Sequence, residues 1–225
     1  MNEPPRSRKG AETRARLVEA AKKVFERDGF LNARILDIAE TAGLKHGSFY
    51  HYFESKEEVF REVAAEVDER LSAPMYTVIL DTTSHLGPYD RIREGIRQNL
   101  AVYRDEARIM AVIEQVRRFD KDVGAAWVER HQEGLIGLAN AIRALQRRGL
   151  ADRELDPTIT AAALGSMTYR FPEMWFVQNM IDIDFDEGVD QLTELFVRSL
   201  GLDHSGTSDS GAGAKAAADA AEARA

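Results

Sequence analysis

Residues 37–53 read Asp37-Ile38-Ala39-Glu40-Thr41-Ala42-Gly43-Leu44-Lys45-His46-Gly47-Ser48-Phe49-Tyr50-His51-Tyr52-Phe53. Ile38, Ala39 and Ala42 give the first half an apolar side. Gly43 is free to take the left-handed conformation that ends a helix and turns the chain. Leu44 plugs the junction, and Phe49 and Phe53, four residues apart, face one way on a second helix. Lys45, His46, Ser48, Tyr50 and His51 are left facing outward. They are hydrogen-bond donors and cations suited to phosphates and base edges. The pattern predicts a helix-turn-helix whose second helix enters a DNA major groove.

Upstream of this stretch, residues 11–28 carry Leu17, Ala21, Val24 and Phe25 at the spacing of one buried helical stripe. Asp28-Gly29 should stop that helix, and Phe30 should anchor the turn. Residues 1–9 hold two prolines and no periodicity, so they read as a basic arm whose Arg6, Arg8 and Lys9 either wrap DNA or stay solvated. Downstream, Ser55 with Glu58 forms a capping box that fixes a helix start. Lys56 is a poor choice there for the helix dipole. An external phosphate would resolve the conflict, and a plain solvated lysine is the alternative.

Beyond residue 65 the chain reads as a larger helical body. A stripe of Val59, Phe60, Val63, Val67 and Leu71 runs toward Pro74, where a kink or break is expected. A loop from Thr82 to Pro88 precedes helices over 89–104, 107–119 and 121–148. Arg147-Arg148-Gly149 is a stop signal. Asp156-Pro157 is a start signal for a helix to about Met180, with Pro172 inside it. The final helix spans about 186–200. From residue 203 the Gly, Ala, Ser and charge pattern predicts a disordered tail. No strand pattern occurs. The expected fold is all-α with about nine helices. Its divisions are an arm (1–9), a helix-turn-helix domain (10–55), a ligand-binding and dimerisation domain (56–202) and a tail (203–225).

Composition narrows the function. The chain has 225 residues, 44% of them hydrophobic and 30% charged, enough for a sizeable core. With no cysteine, disulfide frameworks, thiolate catalysis and cysteine-ligated zinc are excluded, and a reducing cytoplasm is the expected setting. No signal peptide and no membrane-spanning run is expected. The net charge of −8 is unevenly placed: residues 1–53 carry ten Lys and Arg against seven Asp and Glu, a net of +3, and the remainder carries −11. The positive field therefore lies with the helix-turn-helix.

Over residues 11–60 the chain resembles the TetR family of bacterial transcriptional regulators. The resemblance rests on Ala20-Ala21, Val24-Phe25, Asp28-Gly29-Phe30, Asp37-Ile38-Ala39, Ala42-Gly43-Leu44, Gly47-Ser48-Phe49-Tyr50-His51-Tyr52-Phe53 and Ser55-Lys56-Glu57-Glu58-Val59. It implies a homodimer joined through the last two long helices and bound to a palindromic double-stranded DNA operator. A ligand in the body would shift the helix beginning near Ser55 and release the DNA. One departure stands out. Where the family usually has a threonine pair, this chain has Ala33-Arg34. Capping is then expected to pass to Asn32. Arg34 either reaches a phosphate through its fork of donors or simply pairs with nearby Asp37.

The expected DNA-binding residues are Arg34, Lys45, His46, Gly47, Ser48, Tyr50, His51 and Lys56. Lys45 and His46 are best placed for base edges, and lysine suits guanine O6 and N7. Tyr50 serves phosphate or packs partly into the core. The body concentrates aromatic and Met residues of the kind that line apolar ligand cavities. Met75, Tyr103, Met110, Ile113, Trp127, His131, Met167, Phe171 and Trp175 are the candidates for a small, lipophilic effector, and a plain helical core is the competing reading of each. Glu114, Arg117, Arg118 and Arg170 would orient such a ligand or form surface ion pairs. Glu129, His131 and Glu133 do not share a helix face, so no metal site is expected. No cofactor and no catalytic constellation is read, which sets an enzyme aside. An architectural or activating DNA-binding protein without an effector is the alternative.

Overall fold

The computed structural model describes residues 8–79, 81 and 83–202, the side chains of Met75 and Tyr76 excepted. The expected tail from residue 203, and Arg6 of the expected arm, lie outside these residues. Among the described residues there are nine α-helices and no strand. They are α1 (Arg8–Asn32), α2 (Ile35–Thr41), α3 (His46–Phe49), α4 (Lys56–Pro74), α5 (Pro88–Asp105), α6 (Ala107–Val116), α7 (Lys121–Arg147), α8 (Pro157–Pro172) and α9 (Phe185–Leu200). A π-helical turn follows α4 at Met75–Ile79 and another follows α8 at Glu173–Val177.

The punctuation in the sequence acts as expected at several ends. Gly29 (φ 73°) interrupts α1, Gly43 (φ 68°) makes the turn after α2, and Gly149 (φ 71°) follows α7. Ser55 Oγ accepts from the Glu58 N–H at 3.1 Å, and the Glu58 carboxylate reaches back to the Glu54 N–H. Asp156 Oδ1 accepts from the N–H groups of Thr158 and Ile159, both at 2.9 Å. Asp184 caps α9 in the same way, a start that lies ahead of the expected Asp186. Elsewhere the elements are shorter than their patterns. α6 ends at Val116 and not Phe119, and α8 gives way to the π-turn at Pro172 and not at Met180. Both π-turns directly follow a proline, which removes an i→i−4 bond and lets the next turn widen. Arg8 and Lys9, expected in an extended arm, begin α1.

The chain forms two compact units. The first holds the chain up to Ala73, with Asn99–Gly134 and Met167–Asp182. Its core is continuous. Leu17, Phe25, Phe49, Phe53, Phe60 and Val67 belong to one cluster with Ile109, Met110, Ile113 and Val116. Phe60 meets Phe25 edge-on at 5.0 Å and Phe30 at 4.9 Å. The packing is thus continuous across residue 55. The second unit holds Pro74–Gln98, Leu135–Ser166 and the chain from Ile183. Ile92, Ile96, Leu138, Ile142, Leu164 and Phe196 are buried in it. Arg93 and Arg97 on α5 pair with Asp190 and Asp186 on α9 at 2.6 and 2.7 Å. No helix among the described residues is long and apolar enough to cross a membrane.

Candidate functional site

The turn between α2 and α3 is built from the inside outward. Ile38 and Ala39 on α2 and Phe49 at the end of α3 are fully buried. The Leu44 N–H closes the turn on the Ala39 carbonyl at 2.8 Å. From α1, the Arg16 guanidinium donates to the Ala42 carbonyl, and a Cβ on Gly43 would stand 3.3 Å from Arg16 Nη2. This brace gave no signal in the sequence, because its two ends are 26 residues apart. The Arg14 guanidinium lies 4.6 Å from the Phe53 ring centroid and pairs with Glu62.

With the apolar side closed, Lys45, His46, Gly47, Tyr50 and His51 are exposed, and Ser48 is half-buried. The regular helix is shorter than expected, four residues from His46 to Phe49. Helix-like bonds from Tyr52 N and Phe53 N to the Phe49 carbonyl carry the turn to Phe53. The His46 ring meets Tyr50 edge-on at 5.5 Å, and Tyr50 meets Phe49 likewise. Tyr50 thus has one edge on the core and 49% of its surface exposed.

Two expectations around this turn, for Lys56 and Asn32, are corrected. Lys56 does not point to an outside phosphate. Its ammonium donates to the carbonyls of Phe30 at 2.7 Å, Ala33 at 3.0 Å and Leu31 at 3.3 Å, and lies over the Phe30 ring. The helix-dipole conflict is resolved from inside, by the carbonyls that the Gly29 interruption leaves open. Asn32 does not cap α2. Its side chain donates to the Asp28 carbonyl, and Arg34 occupies the cap position without a side-chain cap bond. The Arg34 fork is held on Asp37 by bonds of 2.8 and 2.9 Å, the neighbour reading, although its side chain stays 73% exposed. That pairing holds the Asp37 carboxyl below its usual range.

Of the expected effector residues, all but Met75 fall in the first unit, and the Met75 side chain lies outside the described residues. Met110 and Ile113, each 1% exposed, pack in the continuous core. Phe171 and Trp175 meet edge-on at 5.6 Å, and Met167 is half-buried. Tyr103 packs in that same core with its hydroxyl turned toward Glu114 and Glu173, while Trp127 and His131 belong to a different arrangement. Trp127 stacks on His131 at 3.8 Å and meets Tyr169 at 5.5 Å, and the Arg117 guanidinium lies 4.4 Å from the Trp127 centroid. Arg117 also binds Glu114, from α6, at 2.5 Å. Four polar atoms in this region are buried without a described partner: Tyr103 Oη, Glu114 Oε1, Trp127 Nε1 and Tyr169 Oη. Burial, with the nearby carboxylates of Glu173 and Glu114, pushes the Tyr103 phenol well above its usual range. Burial likewise raises the Glu114 carboxyl. Glu114, expected to orient a ligand or form an ion pair, and Tyr169 complete the polar group. Arg118 is exposed outside it, and Arg170 is bound to Glu173 at 2.6 Å.

The second unit contains a cavity of about 270 Å³, lined by the start of α5, the end of α7, Leu164 of α8, and Phe196 and Leu200 of α9. None of the expected effector residues with a described side chain lines it.

Comparison with known proteins matches this geometry to a family. Residues 17–63 match the bacterial regulatory proteins of the tetR family, and residues 92–201 match the C-terminal domain of the transcriptional regulator EthR. The chain is 26% identical over 184 residues to YdgC, an HTH-type transcriptional regulator of Bacillus subtilis, covering 77% of this chain and 86% of that protein. It is 30% identical over 138 residues to the HTH-type transcriptional repressor KstR2 of Mycolicibacterium smegmatis, covering 56% of this chain and 66% of that one. Among solved structures, SmeT, the repressor of the Stenotrophomonas maltophilia multidrug efflux pump SmeDEF, shares the fold. Its TM-score is 0.68 at 16% identity, over 88% of this chain and 94% of that one. With its glycine-turned α2–α3 pair and its all-helical body, the chain belongs to the TetR family of DNA-binding transcriptional regulators.

Proposed function

We propose that this chain is a homodimeric repressor that binds a palindromic operator in the cytoplasm and leaves it when a small, largely apolar effector enters the body. The observation that carries the reading is the outward set Lys45, His46, Gly47, Tyr50 and His51, held on a turn whose inner side is fully closed. Lys45 and His46 read base edges, Gly47 lets the backbone approach, and Ser48, Tyr50 and His51 hold phosphates. Arg34 reaches a phosphate only by exchanging its Asp37 partner.

Pairing through α8 and α9 is supported by the apolar surface these helices leave open: Ile159 is 72% exposed and Leu195 54%. The effector reading is supported by Tyr103, Trp127 and His131 together with Glu114 and Tyr169. An apolar molecule carrying one hydrogen-bonding group would satisfy several orphaned polar atoms at once. Met167, Phe171 and Trp175 supply further aromatic and thioether surface in the same unit. α6 carries Glu114, ends on Arg117 as its C-cap, and packs on α1, which packs on α2. A ligand there would therefore touch the elements that aim α3. KstR2 and SmeT are both named as repressors.

The test selects bound genomic fragments, footprints them, and titrates hydrophobic compounds into the complex. A two-fold symmetric footprint that dissolves with one compound class is expected. A non-symmetric footprint on monomeric protein overturns the dimeric reading, and DNA binding indifferent to every compound favours the architectural alternative.

A further inference from the structure

The cavity in the second unit has a chemistry of its own. Its walls are hydrocarbon from Ile92, Leu138, Ile142 and Phe196, and the charged residues lining it are two arginines, Arg91 and Arg148. Among the described residues no acidic side chain lines it. The Arg148 guanidinium makes no hydrogen bond or ion pair to any described residue. Arg91 donates through Nη1 to the Asp81 carbonyl, while its Nε–H is buried without a partner. The Asp81 carboxylate accepts from the Thr83 N–H and hydroxyl at 2.8 and 2.6 Å, both on Oδ1; the Arg91 charge acts on it without a hydrogen bond between the two side chains. A buried guanidinium N–H without an acceptor is costly, and an anion is the natural acceptor for it.

One wall depends on close contact. Ile79, at the end of the first π-turn, lines the cavity and leans against Gly95, where a Cβ would stand 2.4 Å from Ile79 Cγ1. The volume, about 270 Å³, lies just below the roughly 300–1,000 Å³ typical of ligand sites. A compact guest fits better than a polycyclic one.

We propose that this cavity is a binding site for a small amphiphilic monocarboxylate, its hydrocarbon in the pocket and its carboxylate on Arg91 and Arg148. The site is separate from the Tyr103–Trp127–Tyr169 region and does not depend on operator release. It is tested without DNA, by titration calorimetry of the full chain with decanoate, decanol and acetate. Decanoate should saturate at one per chain, with decanol and acetate each at least tenfold weaker. The R91Q/R148Q double variant should weaken decanoate at least tenfold while leaving decanol unchanged. Ala141→Trp, which fills the cavity, should abolish binding, and the arginine variant keeps the test decisive if that protein does not fold. A photoreactive decanoate should label peptides within 88–92 or 137–148. Equal binding of decanol and decanoate, undiminished decanoate binding by R91Q/R148Q, or labelling confined to residues 103–131 overturns the proposal.

Discussion

The head of the first unit and the cavity of the second differ in how side chains and their surroundings are related. In the head, nearly every partner of the reading edge lies within a few residues of it. Gly43 turns the chain, Leu44 closes on Ala39, and Phe49 and Phe53 bury the inner side. The cavity draws its walls from α5, α7, α8 and α9, and its shape depends on Ile79 meeting Gly95. A local pattern can specify a surface, whereas a cavity is what remains when distant helices pack and leave space between side chains.

That contrast can be broken or sharpened by substitution. The largest effect is expected from Phe60→Ala. Phe60 is fully buried against Phe25 and Phe30, so its loss should cost about 3–5 kcal/mol in urea unfolding and weaken DNA binding with it. A loss below about 1 kcal/mol would show that the head does not share its core with α4. Lys56→Met comes next. Losing three carbonyl contacts should cost roughly 2–3 kcal/mol of stability. The salt dependence of DNA binding should stay the same, and a slope reduced by about one would return Lys56 to a phosphate. Lys45→Ala should leave stability alone and cost about 1–3 kcal/mol on the operator, relaxing preference at one base pair. Equal weakening on random DNA would remove its base-reading role. The smallest effect is Tyr103→Phe. Deleting an unpartnered buried hydroxyl should leave stability unchanged or raise it by about 1 kcal/mol while reducing effector affinity. Marked destabilisation would mean that the hydroxyl is already satisfied.

These cases also show what was legible in the sequence. The all-helical fold, the glycine stops, the Ser55–Glu58 box and the Asp156 cap are short-range relations, so residue order reveals them. Lys56 was misread because its partners are 23 to 26 residues away and are backbone carbonyls, which carry no sequence signature. Asn32 was misassigned because its side chain turned back to the Asp28 carbonyl, which competes with forward capping. Met110 and Ile113 have the same apolar character in a core as in a chamber, so composition alone cannot separate the two. In the sequence Arg148 reads only as part of a helix stop signal, and Arg91 belongs to no motif. Only the packing of the helices around them gives them a common cavity.

Lys56 bears finally on how such a protein can change. An ammonium group that gathers three carbonyls on a compact set of donors is poorly replaced by the flat fork of arginine, so Lys56→Arg is not a conservative exchange here. Lys45, His46 and Tyr50 carry no comparable structural duty. The head is thus partitioned into a fixed frame and an editable edge. In the proposed reading, new operator preferences come from altering a few outward side chains, while substitutions at Lys56, which holds the frame, are the ones that selection should refuse.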